Sequence, residues 1–265
     1  MPILSTADKF LGSLLGAYIG HCYVTRHQRQ WPLISESHLY QSWLSSMQPP
    51  IVLGPHSSET SLIAALPWLL HCCDDPTTRH HWLAQALATV PSAETNPTVT
   101  VIDTLYILGD CLEWLLQYSP DTHEPHFLLC EHLRQRCIHY PSALMPHLNL
   151  LIENLDTEEF ATNAQVPCQA RTLWPMTLAI RRCLRYPENL ALALVNHSTD
   201  IPTTTIIGCL LGAWGGISAI PVPWIMAFTY DSRQGLRQMA QQLYRSWAGS
   251  NVVTGGVDEI FPLDL

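Results

Sequence analysis

The sequence predicts an all-α fold, a compact single-domain array of helices, and three observations lead there. Apolar residues recur at three- and four-residue spacings, as in Leu11, Leu14, Leu15, Tyr18 and Ile19 and again in Leu62, Leu66, Leu69 and Leu70, so each set makes a stripe on one helical face. Strand-like alternation is scarce. Twenty prolines suit helices joined by Pro-containing turns.

Taken in order, Ser5-Thr6 ahead of Ala7-Asp8 reads as the N-cap of a first helix. The apolar stretch Ser61 to Leu70 makes the next helix. Pro76-Thr77 precedes a helix predicted over 78–90, and Pro97-Thr98 precedes one over 99–118. Further helices are expected over 124–139, 143–153, 169–185, 188–196, 203–215 and 231–248. The stretch Asn251 to Leu265 reads as a surface tail or a strand-like strap. No Ser/Gly linker or charge run divides the rest, so the expected organisation is a helical domain over 1–250 and a tail over 251–265.

The most informative local feature is a repeat. The nonapeptide from Gly12 to Gly20 (GSLLGAYIG) returns near the other end of the chain from Gly208 to Gly216 (GCLLGAWGG), with glycine at every fourth position in both. Glycine inside a helix costs up to about 1 kcal/mol relative to alanine. Taken six times, that cost implies a purpose: three glycines on one face leave room for another backbone to approach.

These residues resemble the ADP-ribosylglycohydrolase family. The segment Arg171 to Asn189 ends in Arg185-Tyr186-Pro187-Glu188. It is followed by Ala193-Leu-Val-Asn196, the second glycine helix and Ala219-Ile-Pro-Val-Pro-Trp224. That order is similar to the family's helix, its Arg-x-Pro-Asp/Glu turn, its metal-binding loop, its last core helix and an Ile-Pro-x-x-Trp exit. The resemblance covers about 5–30, 55–70 and 166–228, and no motif marks 74–165. It implies an ADP-ribosylglycohydrolase-like fold, and for the family's chemistry a pair of magnesium ions that polarise the ribose and position water at its anomeric carbon.

The loops that would hold those metals depart from the family. Its Thr-Asp-Asp-Thr motif corresponds to Ser57-Ser58-Glu59-Thr60, which keeps one carboxylate of two. Its Gly-Gly-Asp-Thr-Asp-Thr motif, counted back from Gly208, falls on His197-Ser198-Thr199-Asp200-Ile201-Pro202. The acidic residue expected after the first glycine helix is His21. Magnesium demands oxygen ligands in near-octahedral geometry, and two adjacent ions need several negative charges to offset their repulsion. The resemblance with these departures therefore implies a pseudoenzyme without cofactor, its degenerate metal positions being Ser57, Ser58, Glu59, Thr199, Asp200 and Ile201. Its cleft would be lined by His21, Thr60, His197 and Ser198, and its partner would be another protein or an ADP-ribose-like ligand. The alternative is an active hydrolase acting on ADP-ribosylated arginine or a related N-glycoside. That enzyme would use Mg2+ on Glu59 and Asp200, or ligands drawn from the middle of the chain such as Asp103 or Asp110.

Other chemistries find no support. With 13 basic against 22 acidic residues and a formal charge of −9, a general nucleic-acid surface is excluded, and Lys9 is the sole lysine. Nine scattered cysteines without a Cys-x-x-Cys pair indicate reduced core thiols in a cytoplasmic protein, not a disulfide framework or a thiolate zinc site. His123, His126, His132 and His139 are expected to form a solvated helical face, since no Glu stands as in His-Glu-x-x-His. His80 and His81 point to different faces, and His21-Cys22 reads as core rather than as a catalytic dyad. No Gly-x-Ser-x-Gly elbow, dinucleotide fingerprint or Walker motif is present. The charge-free stretch from Ile201 to Tyr230 is broken by Pro202, Gly215-Gly216, Pro221 and Pro223, so a buried core helix is expected there instead of a membrane span.

Overall fold

A computed structural model describes residues 5–28, 58–88, 95–117, 125–136, 145–156, 174–187, 189–195 and 200–249. Among these residues the chain is all-α, with eleven α-helices and no strand. The helices are α1 (Thr6–Gln28), α2 (Ser58–His71), α3 (Pro76–Ala88), α4 (Thr95–Gln117), α5 (Pro125–Arg136) and α6 (Met145–Asp156). The chain continues through α7 (Trp174–Arg185), α8 (Leu190–Leu194), α9 (Ile201–Gly215), a 3₁₀ turn over Gly216–Ala219, α10 (Val222–Met226) and α11 (Tyr230–Trp247). The predicted helices are thus present with ends shifted by a few residues. The 3₁₀ turn and α10 lie in the stretch read only as an Ile-Pro-x-x-Trp exit. The proposed 251–265 tail lies outside the described residues.

Two helices form the centre. Gly12, Gly16 and Gly20 of α1 face Gly212, Gly208 and Thr204 of α9, and the falling numbers on one side show that the helices run antiparallel. A Cβ at Gly16 would land on the Gly208 carbonyl, and one at Gly208 on the Gly16 carbonyl; Gly12 and Gly212 stand in the same reciprocal relation. The two repeats therefore exist to receive each other. Gly216 differs from the other five, because it lies just past the end of α9 at φ 59°, a conformation that L side chains rarely adopt. Close approach also joins side chains: Ser13 Oγ lies 3.2 Å from Cys209 Sγ.

Every residue from Thr203 to Gly216 is buried, and α1 is buried on nearly every side. The apolar window Ile201–Ala219 is long enough to cross a membrane, yet 78% of it is buried inside the chain. It is the core helix. Around the central pair, α7 and α4 pack on α9 and α11 packs on α1, while α2 touches α1, α4, α9 and α11. α3 and α5 lean on α4, and α6 joins α5 to α7. Aromatic rings fasten the outer layer: Phe10 meets Tyr244 and Trp247 at 6.2 and 5.8 Å between centroids, and Tyr18 meets Phe228 at 5.1 Å. Trp224 of the predicted exit packs on Tyr23 at 6.0 Å. The seven described cysteines are free and buried. Burial pushes the thiol of Cys209 up to about 12, as expected of inert core residues.

Three basic residues, Lys9, Arg79 and Arg182, are buried as well. Lys9 of α1 donates to the carbonyl oxygens of Leu115 at 2.9 Å and Leu116 at 3.5 Å, at the C-terminal end of α4. These carbonyls have no partner within their own helix, and they lie at the negative end of its dipole. Arg79 of α3 is fully buried, donating to the Asp110 carboxylate, to Glu113 at 3.3 Å and to the carbonyls of Cys72 and Cys73 at 3.2 and 3.0 Å. Glu113 also pairs with Arg136 of α5. Gly109 makes room, since a Cβ there would stand 2.6 Å from Arg79 Cδ. The start of α3 is set by Asp75, whose carboxylate accepts from the Thr78 N–H at 3.0 Å and is held below its ordinary value by Thr78.

Two outcomes follow from this packing. Gly16→Leu and Gly212→Leu each force a side chain into a facing backbone and destabilise by about 1 to 3 kcal/mol or more, read as an earlier thermal melt; unchanged melting in both overturns the helix contact. Arg79→Met takes the buried cation away from Asp110 and leaves Glu113 with Arg136, and costs about 3 to 5 kcal/mol in urea denaturation. Arg79→Met combined with Asp110→Leu recovers part of that loss, because the stranded charge at 110 is removed along with the cation.

Candidate functional site

The candidate site lies at one end of the central helix pair. α9 begins there because Asp200 caps it: its Oδ1 accepts from the Thr203 N–H at 3.2 Å and its Oδ2 from the Thr203 hydroxyl at 2.8 Å. Pro202 follows in the first turn, where its missing N–H costs nothing. Thr204 donates its hydroxyl to the carbonyls of Asp200 and Ile201 at 3.2 and 3.1 Å. The carbonyl of the same Thr204 receives Gly20 of α1. Since His21 is the next residue, the Gly20 contact sets His21 and Asp200 at the same end of the pair. Asp200 is exposed and His21 half-buried.

Among the described residues His21 Nδ1 is buried without a hydrogen-bond partner, and burial lowers the imidazole below its ordinary 6.5. α2 starts at Ser58, so Ser58, Glu59 and Thr60 form its first residues, and α2 borders both α1 and α9. The side chains of those three, with the whole of Ser57, His197, Ser198 and Thr199, lie outside the described residues. Ile201 is half-buried in the first turn of α9, which carries no acidic residue beyond the cap.

A magnesium pair requires several carboxylate oxygens. The described part of this site offers one carboxylate, Asp200, with each oxygen already accepting a capping bond. Among the described residues no group of three or more His, Cys, Asp or Glu side chains is arranged to hold a metal ion. The described residues alone thus supply one of the several carboxylates that a dinuclear centre uses. Asp110, weighed as a substitute ligand from the middle of the chain, does not belong to the site: it is fully buried against Arg79. Asp103 is half-buried on α4, two turns before Asp110.

Comparison with known proteins bears on the fold as a whole. A family model described as ADP-ribosylglycohydrolase matches residues 81–252. The chain belongs to the ADP-ribosylglycohydrolase family. The match runs through 81–165, where no motif marks the resemblance, and stops short of the Ser57–Thr60 region. No curated protein matches the sequence. A solved structure named "ADP-ribosylglycohydrolase-related protein complex" superposes with a TM-score of 0.54 at 14% identity, covering 92% of this chain and 99% of that one. The likeness shows that the two share the ADP-ribosylglycohydrolase fold.

The histidine expectation needs correction. His132 does not sit on a solvated face: it is half-buried, hydrogen-bonds the Asp110 backbone and lies near Arg79, and its Nε2 is buried without a partner among the described residues. His126 has no described side chain, and His123 and His139 lie outside the described residues. The buried Arg79 network is likewise absent from the sequence-based expectations, though it leaves a signal. Asp110 and Glu113 stand three apart in an otherwise apolar stretch of α4, and two buried acids on one face call for a cation.

Burial lowers the imidazoles of both His132 and His21, the first despite the nearby Asp110. The unfolded chain then holds protons that the folded chain lacks, so stability present above the ordinary 6.5 is lost as pH falls below it towards the folded values. Thermal melts from about pH 7.5 to about pH 5.5 should show a falling melting temperature. His132→Gln should flatten that fall, and His132→Gln with His21→Gln should flatten it further. A pH profile unchanged by both substitutions contradicts the assignment.

Proposed function

We propose that this chain is a non-catalytic member of the ADP-ribosylglycohydrolase family, serving as a regulatory, scaffolding or ligand-binding protein. The observation that carries the reading is the role of Asp200. The residue best placed to replace a lost metal ligand caps the core helix through Thr203, with each oxygen accepting one bond, and is followed by Ile201 and Pro202. Neither of those side chains offers an oxygen to a cation. The substitute at Asp110 is spent on Arg79. The solved relative of the same fold is named as a protein complex, which fits a scaffolding role.

What the residues at this end of the fold supply is shape and hydrogen bonding. His21 brings an imidazole with a buried nitrogen to the same end as the exposed Asp200 carboxylate, groups that can hydrogen-bond a polar ligand.

Two measurements on the purified chain test the proposal together. Magnesium should not raise its melting temperature, and modified arginine should not release ADP-ribose. Restoring acids at the degenerate positions, with Ser58→Asp, Glu59→Asp, Thr199→Asp, Ile201→Asp and Pro202→Thr combined, should lower the melting temperature without metal by mutual repulsion. Magnesium should then raise it, by mass action on the folded state. Hydrolysis by the unaltered chain that is lost on Glu59→Ala or Asp200→Ala would establish the active-hydrolase alternative instead.

A further inference from the structure

Lys9 is the one lysine in 265 residues, and it is 5% exposed. Its ammonium bridges elements more than 100 residues apart in sequence, donating to the carbonyls of Leu115 and Leu116 at the end of α4. Beside it Ala7 and Phe10 are buried, Phe10 packing on Tyr244 and Trp247 of α11, while Ser5 is exposed and Thr6 and Asp8 half-buried. An acyl donor reaching Nζ must therefore first separate this end of α1 from the end of α4. Such opening is a subglobal unfolding event, since α1 is also half of the central pair.

We propose that Lys9 is a fold-gated acylation site, closed to amine-directed modification in the native chain and open once α1 leaves the core. The reaction class is acyl transfer from an activated donor such as a thioester. The neutral amine attacks the carbonyl carbon, a C–N bond forms, the C–S bond breaks, and the thiolate leaves with the proton lost from nitrogen. The product amide is uncharged and keeps a single N–H. It no longer satisfies both Leu115 and Leu116, and its added acyl group has no space in a fully packed position. Modification therefore marks opened chains and blocks their return, because the only lysine is also the residue that ties α1 to α4. The inference stands whether or not the family's chemistry survives in this chain.

The probe is the acetyl ester of N-hydroxysuccinimide, applied to the full chain and read by peptide mass spectrometry. A free peptide spanning residues 5–12 serves as the reference amine. Native Lys9 should acetylate at least about 100-fold more slowly than the peptide, and the difference should vanish through the urea unfolding transition. Labelling of the folded chain at the peptide's rate overturns the gating. A second arm concerns the return step. Lys9→Arg keeps a cation and should melt close to the parent, whereas Lys9→Gln, which mimics the acetylated side chain, should melt clearly earlier or fail to fold. Equal melting of Lys9→Gln and the parent overturns the claim that modification blocks refolding.

Discussion

Backbone contact between α1 and α9 is the constraint on which the rest depends. When two helices approach so closely that glycine meets glycine, the gain is dispersion between closely packed backbone atoms, each contact small and the sum large. The geometry tolerates no substitute at Gly16, Gly208, Gly12 or Gly212, because each would place a methyl on a facing carbonyl. The approach also brings Ser13 to Cys209 and Gly20 to Thr204, and through Gly20 it determines which residues meet at the start of α9. The candidate site is thus a product of core packing, not an independent loop feature. Moving α1 by one turn would replace His21 there with another residue.

The buried charges obey a second constraint, which is that a desolvated cation must find enough acceptors. Lys9 and Arg79 answer it differently. Lys9 uses the unpaired carbonyls at the end of a helix, which cost nothing to recruit because their own helix has no use for them. Arg79 uses a planar fork of donors to reach two carboxylates and two turn carbonyls at once, a task that lysine's single ammonium does not perform. Both tie the middle of the chain to something else: Lys9 links α4 to α1, and Arg79 links α3 and the preceding turn to α4. These ties anchor α3 and α4, which lie in the stretch without a recognisable motif.

That contrast explains what is legible in the sequence. The glycine repeat can be read because its physics is local: spacing of four puts glycines on one face whatever they touch. Helix positions follow from apolar periodicity and from caps such as Ser5, whose hydroxyl accepts from the Asp8 N–H at 3.1 Å. His132 misleads because its surroundings come from elsewhere. A histidine among polar neighbours on α5 looks solvated until α4 brings Asp110 against it. Gly216 has a second role that spacing does not reveal: its backbone lies against Gly12 and its φ is positive. Short segments rich in proline, such as Val222–Met226, escape because a five-residue helix gives too little period to detect.

The site itself is legible only in part, and the reason lies in what a helix start demands. An aspartate before an apolar helix satisfies backbone N–H groups whatever else it does, so its presence is explained by capping alone. A second or third carboxylate nearby has no such explanation, since acids clustered at one helix end repel one another and persist where a cation gathers them. A metal site is therefore diagnosed by the surplus of acids beyond what capping uses. At the start of α9 there is no surplus among the described residues: Asp200 serves Thr203, and Ile201 and Pro202 occupy the turn that follows. For the described residues at this end of the protein, packing and helix capping account for each side chain present.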